Sequence, residues 1–330
     1  MASRREQLST DLANDDQIIL ASGGYDHTIR LWQTSSGICQ KTLQHSEFQV
    51  NALEITPDKK VLASASYQHI YMYDLISGSA TPVVNYEGTS KNVTCVGFQE
   101  NGRWMYSGGE DGRARIWDLR SKSNQCPKSF DTRHGTGTNL SPINCAVLHP
   151  NQIELFMGDQ NGRIYRWDLR TDHNVQLIPE NDVMILGIDI SPNSAQMASV
   201  NNKGMAYIWN LSSSGSDAST TLEPKNKFQA HSRAVLKCKY SPDSRMLITT
   251  SADQTARIWD SQEYNLQREL TQNNQRWVWD AAWSADSQYV FTASSDNFVK
   301  LWNVATGDRE REYPGHQKAV TALAFKDAII

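Results

Sequence analysis

Nothing in the 330 residues is apolar for long enough to cross a bilayer; no run approaches the roughly 18 residues a spanning helix needs. A charge excess is also missing. Thirty-two basic against 36 acidic residues leave a net charge of −4, which argues against a nucleic-acid groove as the main surface. Cysteine is sparse and odd in number. Cys39, Cys95, Cys126, Cys145 and Cys238 form no CxxC pair, so reduced thiols are expected rather than a disulfide framework. Eight histidines occur without HxxxH or HxH spacing, and no metal or other cofactor is expected. The opening stretch, MASRREQLSTDLANDD, is polar and shows no secretory pattern. Neither a heptad seam nor a long amphipathic helix is visible.

What the chain does have is short β-like runs, turn residues between them, and ten tryptophans. The stretch Ser251–Asp260, SADQTARIWD, reads as part of a hairpin: a tight turn at Ala252-Asp253-Gln254, then a strand ending in an aromatic and a polar residue. That ending recurs as LWQ at Trp32, MYD at Tyr73, IWD at Trp117, RWD at Trp167, IWN at Trp209, IWD at Trp259 and LWN at Trp302. The intervals are 41, 44, 50, 42, 50 and 43 residues, close to the period of a repeat whose unit is one propeller blade. An all-β, seven-bladed propeller follows. Residues 1–16 read as a flexible N-terminal arm, and 17–330 as a single propeller domain. The first folded segment, IILASG, is already a second strand. Its missing first strand lies at the other end, in GHQKAVTALAF (Gly315–Phe325), so the C-terminal strand is expected to complete the N-terminal blade and close the ring.

The spacing of His231, Ser251, Asp253 and Trp259 resembles the WD repeat. The resemblance implies a structural network: Asp253 accepting from His231, His231 bonded to Ser251, and Ser251 to the Trp259 indole. Blade one retains His316, Asp26 and Trp32, with Gly24 standing where Ser251 stands in blade six. Only in blade six, therefore, is the network expected to be complete. Turn aspartates are found in four blades, at Asp26, Asp111, Asp253 and Asp296; blade four has Asn161, and blade five has Asn201, Asn202 and Lys203. The stretch Arg133–Pro142 reads as a Gly/Thr-rich surface loop, and Ser212–Thr221 as a low-complexity loop without packing residues.

Ser251, His231 and Asp253 could be mistaken for a nucleophilic triad, but a triad needs an exposed hydroxyl and an oxyanion hole. Here an indole competes for the hydroxyl, so no catalytic residue is assigned and no enzyme is expected. In a propeller of this kind the turns holding the aspartates share a rim with the loops leading into each first strand. That rim would carry Tyr25, Tyr67, Glu110, Gln160, Gln49 and Trp277 as partner-binding candidates, because exposed aromatic residues are common interface anchors. Trp279 is expected to pack between blades instead.

Irregular features narrow the resemblance further. GGYDHTIRLW, the shortened turn in YQHIYMYDL, GRWMYSGGEDGRARIWDLRS, GDQNGRIYRWDLRTDHNVQLIPE and DSQYVFTASSDN resemble the WD-repeat, G-protein-β-like subunits of the target-of-rapamycin (TOR) kinase complexes, the lethal-with-sec-thirteen family. The similarity runs from about Ile18 to Phe325. It implies a non-catalytic scaffold subunit that binds and stabilises the catalytic region of the TOR kinase, and through it meets the other complex subunits. It also implies a cytoplasmic protein recruited to lysosomal, vacuolar or other endomembrane surfaces through the complex. The isolated chain is expected to be monomeric, with no nucleic-acid partner and no direct membrane insertion. Two other readings exist. WDLR occurs twice, at Trp117–Arg120 and Trp167–Arg170, and resembles the WDxR box of cullin ubiquitin ligase substrate receptors. A G-protein β subunit would need an N-terminal coiled-coil helix, and no heptad pattern is present.

Overall fold

Antiparallel pairing organises the described residues into seven four-stranded sheets. The computed structural model describes residues 18–327 apart from 46–47, 78, 122–125, 134–139 and 213–218; the expected N-terminal arm and the centres of the two long loops lie outside the described residues. Each sheet is one blade of a β-propeller. Blade three is representative, with strands Val93–Phe98, Trp104–Gly109, Arg113–Asp118 and Lys128–Asp131 in spatial order. The first strands pack beside one another around a central channel.

The chain ends meet in blade one. Val320–Lys326 pairs with Ile19–Gly24, placing Ala324 opposite Ala21 and leaving Thr321 as the extra residue of a bulge. The C-terminal strand thus supplies the innermost strand of the N-terminal blade. Closure in this way pairs the edge of Ile19–Gly24 that would otherwise stand open.

Burial follows the seams between blades. Seven apolar clusters form, each shared by two consecutive blades; Ala21, Leu43 and Ala322 of blade one, for example, meet Leu53, Leu62 and Tyr73 of blade two. The seven signature aromatics are all buried, each in the cluster it shares with the preceding blade. A tryptophan in such a place is worth about 3–5 kcal/mol against alanine. This is why the aromatic, rather than the turn chemistry, recurs in all seven repeats.

The hydroxyl of the network is not the expected one. His231 Nδ1 lies 2.9 Å from Asp253 Oδ2, but His231 Nε2 lies 2.8 Å from Thr249 Oγ1, which also accepts from Trp259 Nε1 at 2.9 Å. Ser251 instead donates to the Ala234 carbonyl at 2.8 Å and accepts from the Asp253 N–H. The cause is register. Trp259 is paired with Leu247, so Thr249 is its diagonal neighbour on the same face, while Ser251 lies two residues further along that face, out of reach. The same offset puts Ser22, not Gly24, in the network of blade one, where Trp32 Nε1 donates to Ser22 Oγ at 2.7 Å, and Ser22 and Asp26 each lie 2.8 Å from His316. The network is therefore complete twice, in blades one and six. Gly24 has a separate reason to be glycine, since a Cβ there would lie 2.1 Å from the Ala319 carbonyl oxygen.

Blades without the histidine hold their turns otherwise. The residue two before the aromatic reaches the turn: Arg115 bonds Asp111 at 2.7 Å, Lys300 bonds Asp296, and the Tyr165 hydroxyl donates to Asp159 at 3.1 Å. In blades four and five the turn acceptor has moved two residues upstream, to Asp159 and Asn201, each taking two backbone N–H groups. The Ser212–Thr221 segment also differs from expectation, because Thr220 is buried, with its N–H and hydroxyl on Glu154 of blade four and its carbonyl accepting from Arg166.

Candidate partner-docking rim

Each blade ties the residue after its second strand to the loop leading into its first strand. Tyr25 N–H donates to Ala319 O, Glu110 N–H to Asn92 O, Gln160 N–H to Pro142 O, and Ser295 N–H to Trp277 O. In blade two the Ser66 hydroxyl donates to Gln49 O. These bonds put the turn tips and the strand-leading loops on one rim.

A second device aims side chains at the mouth of the channel. First strands carry a bulge near their start, and the extra residues are Thr321, Thr94, Asn144, Leu186, Leu236 and Trp279. Asn51 takes the matching place in blade two. Together with Tyr25, Gln49 and Glu110 they border a cleft of about 300 Å³ at the channel mouth. Bulges re-aim side chains in this way without interrupting the sheet.

Trp279 and Tyr25 also wall a second cleft of about 380 Å³, completed by Trp277, Arg276 and Gln254. The rings form a chain, Tyr25 to Trp279 at 6.4 Å and Trp279 to Trp277 at 5.7 Å between centroids. Tyr25 and Trp277 are each 42% exposed. Trp279 is half-buried, with its indole N–H on Ser295 Oγ at 2.6 Å; its ring meets Tyr25 of blade one and walls the cleft. Arg276 forms no ion pair among the described residues, which leaves a cation beside an aromatic wall.

Four of the six candidates therefore converge: Tyr25, Gln49, Glu110 and Trp277. Tyr67 is half-buried against Phe48, 4.8 Å between ring centroids, and Gln160 is exposed on blade four; neither borders these clefts. Trp279, Arg276 and Gln254 complete the site and were not singled out for it from the sequence. The doubled tryptophan in RWVWD was the available signal, since period-two alternation puts both indoles on one face of the strand.

Behind the mouth the channel holds Glu54, Asp189, Asp280, Lys237, Lys239 and Lys326. Asp280 pairs with Lys239 at 3.3 Å. Burial pushes the Asp189 carboxyl up to about 6, against the Tyr240 N–H it accepts at 2.6 Å and the nearby lysines. In the turns the balance is opposite. Burial would raise the Asp26 and Asp253 carboxyls, but the hydrogen bond and charge of His316 or His231 outweigh it and hold both well below the usual range. The hydroxyl facing His231 is buried and already carries an indole, so it is not available as a nucleophile. The WDLR arginines fold back on their own aspartates, Arg120 with two bonds of 3.0 Å to Asp118 and Arg170 at 3.3 Å from Asp168.

Similarity to known proteins agrees with this architecture. The WD domain, G-beta repeat, matches residues 8–33, 37–74, 80–118, 222–260 and 264–303. The target of rapamycin complex subunit LST8 of Bos taurus is 52% identical over 329 residues, covering 98% of this chain and 99% of that protein. This chain belongs to the LST8 family. LST8 of Saccharomyces cerevisiae is 45% identical, covering 94% of this chain and 99% of its own length. A shorter match, 44% identical over 79% of this chain and 82% of its partner, is to LST8-1 of Arabidopsis thaliana. The bovine and yeast matches each cover nearly the whole chain.

Proposed function

We propose that this LST8-family chain is a non-catalytic scaffold that docks its aromatic rim on the catalytic region of the TOR kinase and stabilises it. The observation that carries the reading is the Tyr25–Trp279–Trp277 wall, two exposed rings with a half-buried one between them, continuous with the channel mouth in a member of a family named for TOR complexes. Rings held by neighbours before binding lose little side-chain freedom on docking, which is what makes such residues strong anchors. Gln49 supplies an amide that both donates and accepts at the edge of the same mouth. Association with the kinase would bring the chain to the other complex subunits, and to lysosomal, vacuolar or other endomembrane surfaces, while the isolated chain stays monomeric in the cytoplasm.

Kinase recovery by tagged variants tests this. Trp277→Ala removes an anchor worth about 2 kcal/mol or more at an interface centre, and Gln49→Glu buries a charge that the contact cannot hydrate. Both variants are expected to melt like the parent and recover less kinase. Arg120→Ala and Arg170→Ala are expected to leave recovery unchanged. Undiminished recovery with both rim variants, with a ligase adaptor lost on changing the WDLR arginines, would overturn the proposal in favour of a ubiquitin ligase receptor.

A further inference from the structure

Serine or threonine precedes proline five times in the chain, at Thr56, Thr81, Ser141, Ser191 and Ser241. Four of these residues are sealed into the fold: Thr56, Ser141, Ser191 and Ser241 are each no more than 6% exposed. Three of the four hold the turn between the first and second strands of their blades. Thr56 donates its hydroxyl to Asp58 at 2.7 Å, Ser191 to Asn193 at 2.7 Å and Ser241 to Asp243 at 2.6 Å. Thr81 is the exception. It is exposed, and so is Pro82 after it.

Thr81 lies in the connection between Ile70–Asp74 and Val84–Tyr86, the third and fourth strands of blade two. Among the described residues it bonds only to Ser79. Its N–H donates to Ser79 Oγ at 3.2 Å, the two hydroxyls lie 3.0 Å apart, and its carbonyl accepts from Ser79 Oγ at 3.3 Å. The chain is pinned again at Val83, whose N–H donates to Met72 O at 2.8 Å. Proline at the next position disfavours the helical region for Thr81. The hydroxyl is therefore carried on an exposed stretch that a single serine restrains, and an enzyme can lift it without opening the blade.

A cation of the neighbouring blade already touches this loop. Lys41, in strand Cys39–Gln44 of blade one, donates its ammonium to Ser79 O at 2.7 Å. The same serine thus holds the lysine on its carbonyl and Thr81 on its hydroxyl. Lys41 forms no ion pair among the described residues. Asp74 accepts from the Ile76 and Ser77 N–H groups at 2.8 and 3.2 Å, which, with a lesser pull from Lys41, hold its carboxyl below the ordinary value. Lys128, Arg268 and Arg311 make the same reach into the next blade, to the carbonyls of Leu169, Ala305 and Thr34, in connections that contain no proline. A phosphate on Thr81 would bring close to two negative charges and three acceptor oxygens to a loop where a cation is already held.

We propose that Thr81 is a phosphorylation site for a proline-directed Ser/Thr protein kinase, and that the phosphate pairs with Lys41 across the seam between blades one and two. The Thr81 hydroxyl oxygen attacks the γ-phosphorus of ATP, the bond to the β,γ-bridging oxygen breaks, ADP leaves, and the hydroxyl proton passes to the base of that kinase. Strand direction alternates within the blade, so this connection lies at the end opposite the turn at Tyr67. The phosphate leaves the Tyr25–Trp277 rim uncovered, and the proposal does not rest on what the rim binds.

The full chain, incubated with ATP, Mg²⁺ and a purified proline-directed kinase that modifies a synthetic Thr81 peptide, and then mapped by mass spectrometry, tests the site. One phosphate is expected, on Thr81, and none in Thr81→Ala or Pro82→Ala. Synthetic peptides centred on Thr56, Ser191 and Ser241 are expected to be modified, although the same residues in the folded chain are not. No phosphate on Thr81, or phosphate on those three residues in the folded chain, would overturn the assignment. Phosphorus NMR of the modified chain tests the pairing. Phosphothreonine loses its second proton at about pH 6, and Lys41 is expected to lower that midpoint by about 0.5, an effect that Lys41→Gln should abolish. Equal midpoints in the parent and in Lys41→Gln would overturn the pairing. These substitutions are at the surface, and melting curves matching the parent verify folding.

Discussion

Thr249→Val removes one oxygen from the centre of blade six and little else. In the native chain the Trp259 N–H donates to the Thr249 hydroxyl, which meets His231 Nε2, while His231 Nδ1 faces Asp253. Thr249 is fully buried, Trp259 is 6% exposed and His231 1%. Valine keeps the branched shape but leaves an indole N–H and an imidazole nitrogen unpaired and dry. Each such orphan costs about 1–3 kcal/mol, so the variant should lose about 2–4 kcal/mol. Thr249→Ser keeps the hydroxyl and should recover most of that. Ser251→Ala breaks bonds to the Ala234 carbonyl and the Asp253 N–H near the turn, and should cost about 1 kcal/mol. Urea midpoints followed by tryptophan fluorescence measure all three. Combining Thr249→Val with Trp259→Phe should be clearly less than additive, because both changes break the same bond. A Ser251→Ala loss equal to that of Thr249→Val, or no rescue by serine, would refute the assignment of the hydroxyl.

Two further outcomes follow from the seams and the channel. Asn51→Leu should lower the urea midpoint by the equivalent of about 1 kcal/mol, because the Val93 carbonyl loses the Asn51 amide that bridges blades two and three; an unchanged midpoint would mean that this bridge carries no stability. Asp189→Asn should stabilise at pH 7.5. The folded-state pKa is raised, to about 6, so the stability from this group is present below the unfolded value near 4 and lost as pH rises through 6. Asparagine removes the cost of the buried charge while keeping an acceptor for the Tyr240 N–H. With water in the channel screening part of the effect, an advantage of about 1–2 kcal/mol is expected at pH 7.5, declining toward pH 4.5. A gap that stays constant with pH would refute it.

Seven repeats, their period, the clasp between the chain ends and the keystone aromatics were all legible along the chain. Each is written in residues close in sequence: an aromatic ending a strand, a turn a few residues before it, and apolar alternation on either side. Copying such a unit seven times leaves few architectures that can bury it. The exposure of Trp277 and Tyr25 was readable too, since aromatic residues beside turns have nothing local to cover them.

What needed the tertiary structure depends on register and on packing between residues far apart in the chain. Which hydroxyl serves Trp259 is decided by a diagonal across two strands, and Ser251 and Thr249 differ there by only two residues. Trp279 became part of the rim only because blade one, closed by the C-terminal strand, sets Tyr25 beside it. Thr220 looked like loop until Glu154, 66 residues away, was found beneath it. That contact, like the diagonal at Trp259 and the ring pair at Tyr25, joins residues whose relative positions only the closed ring determines.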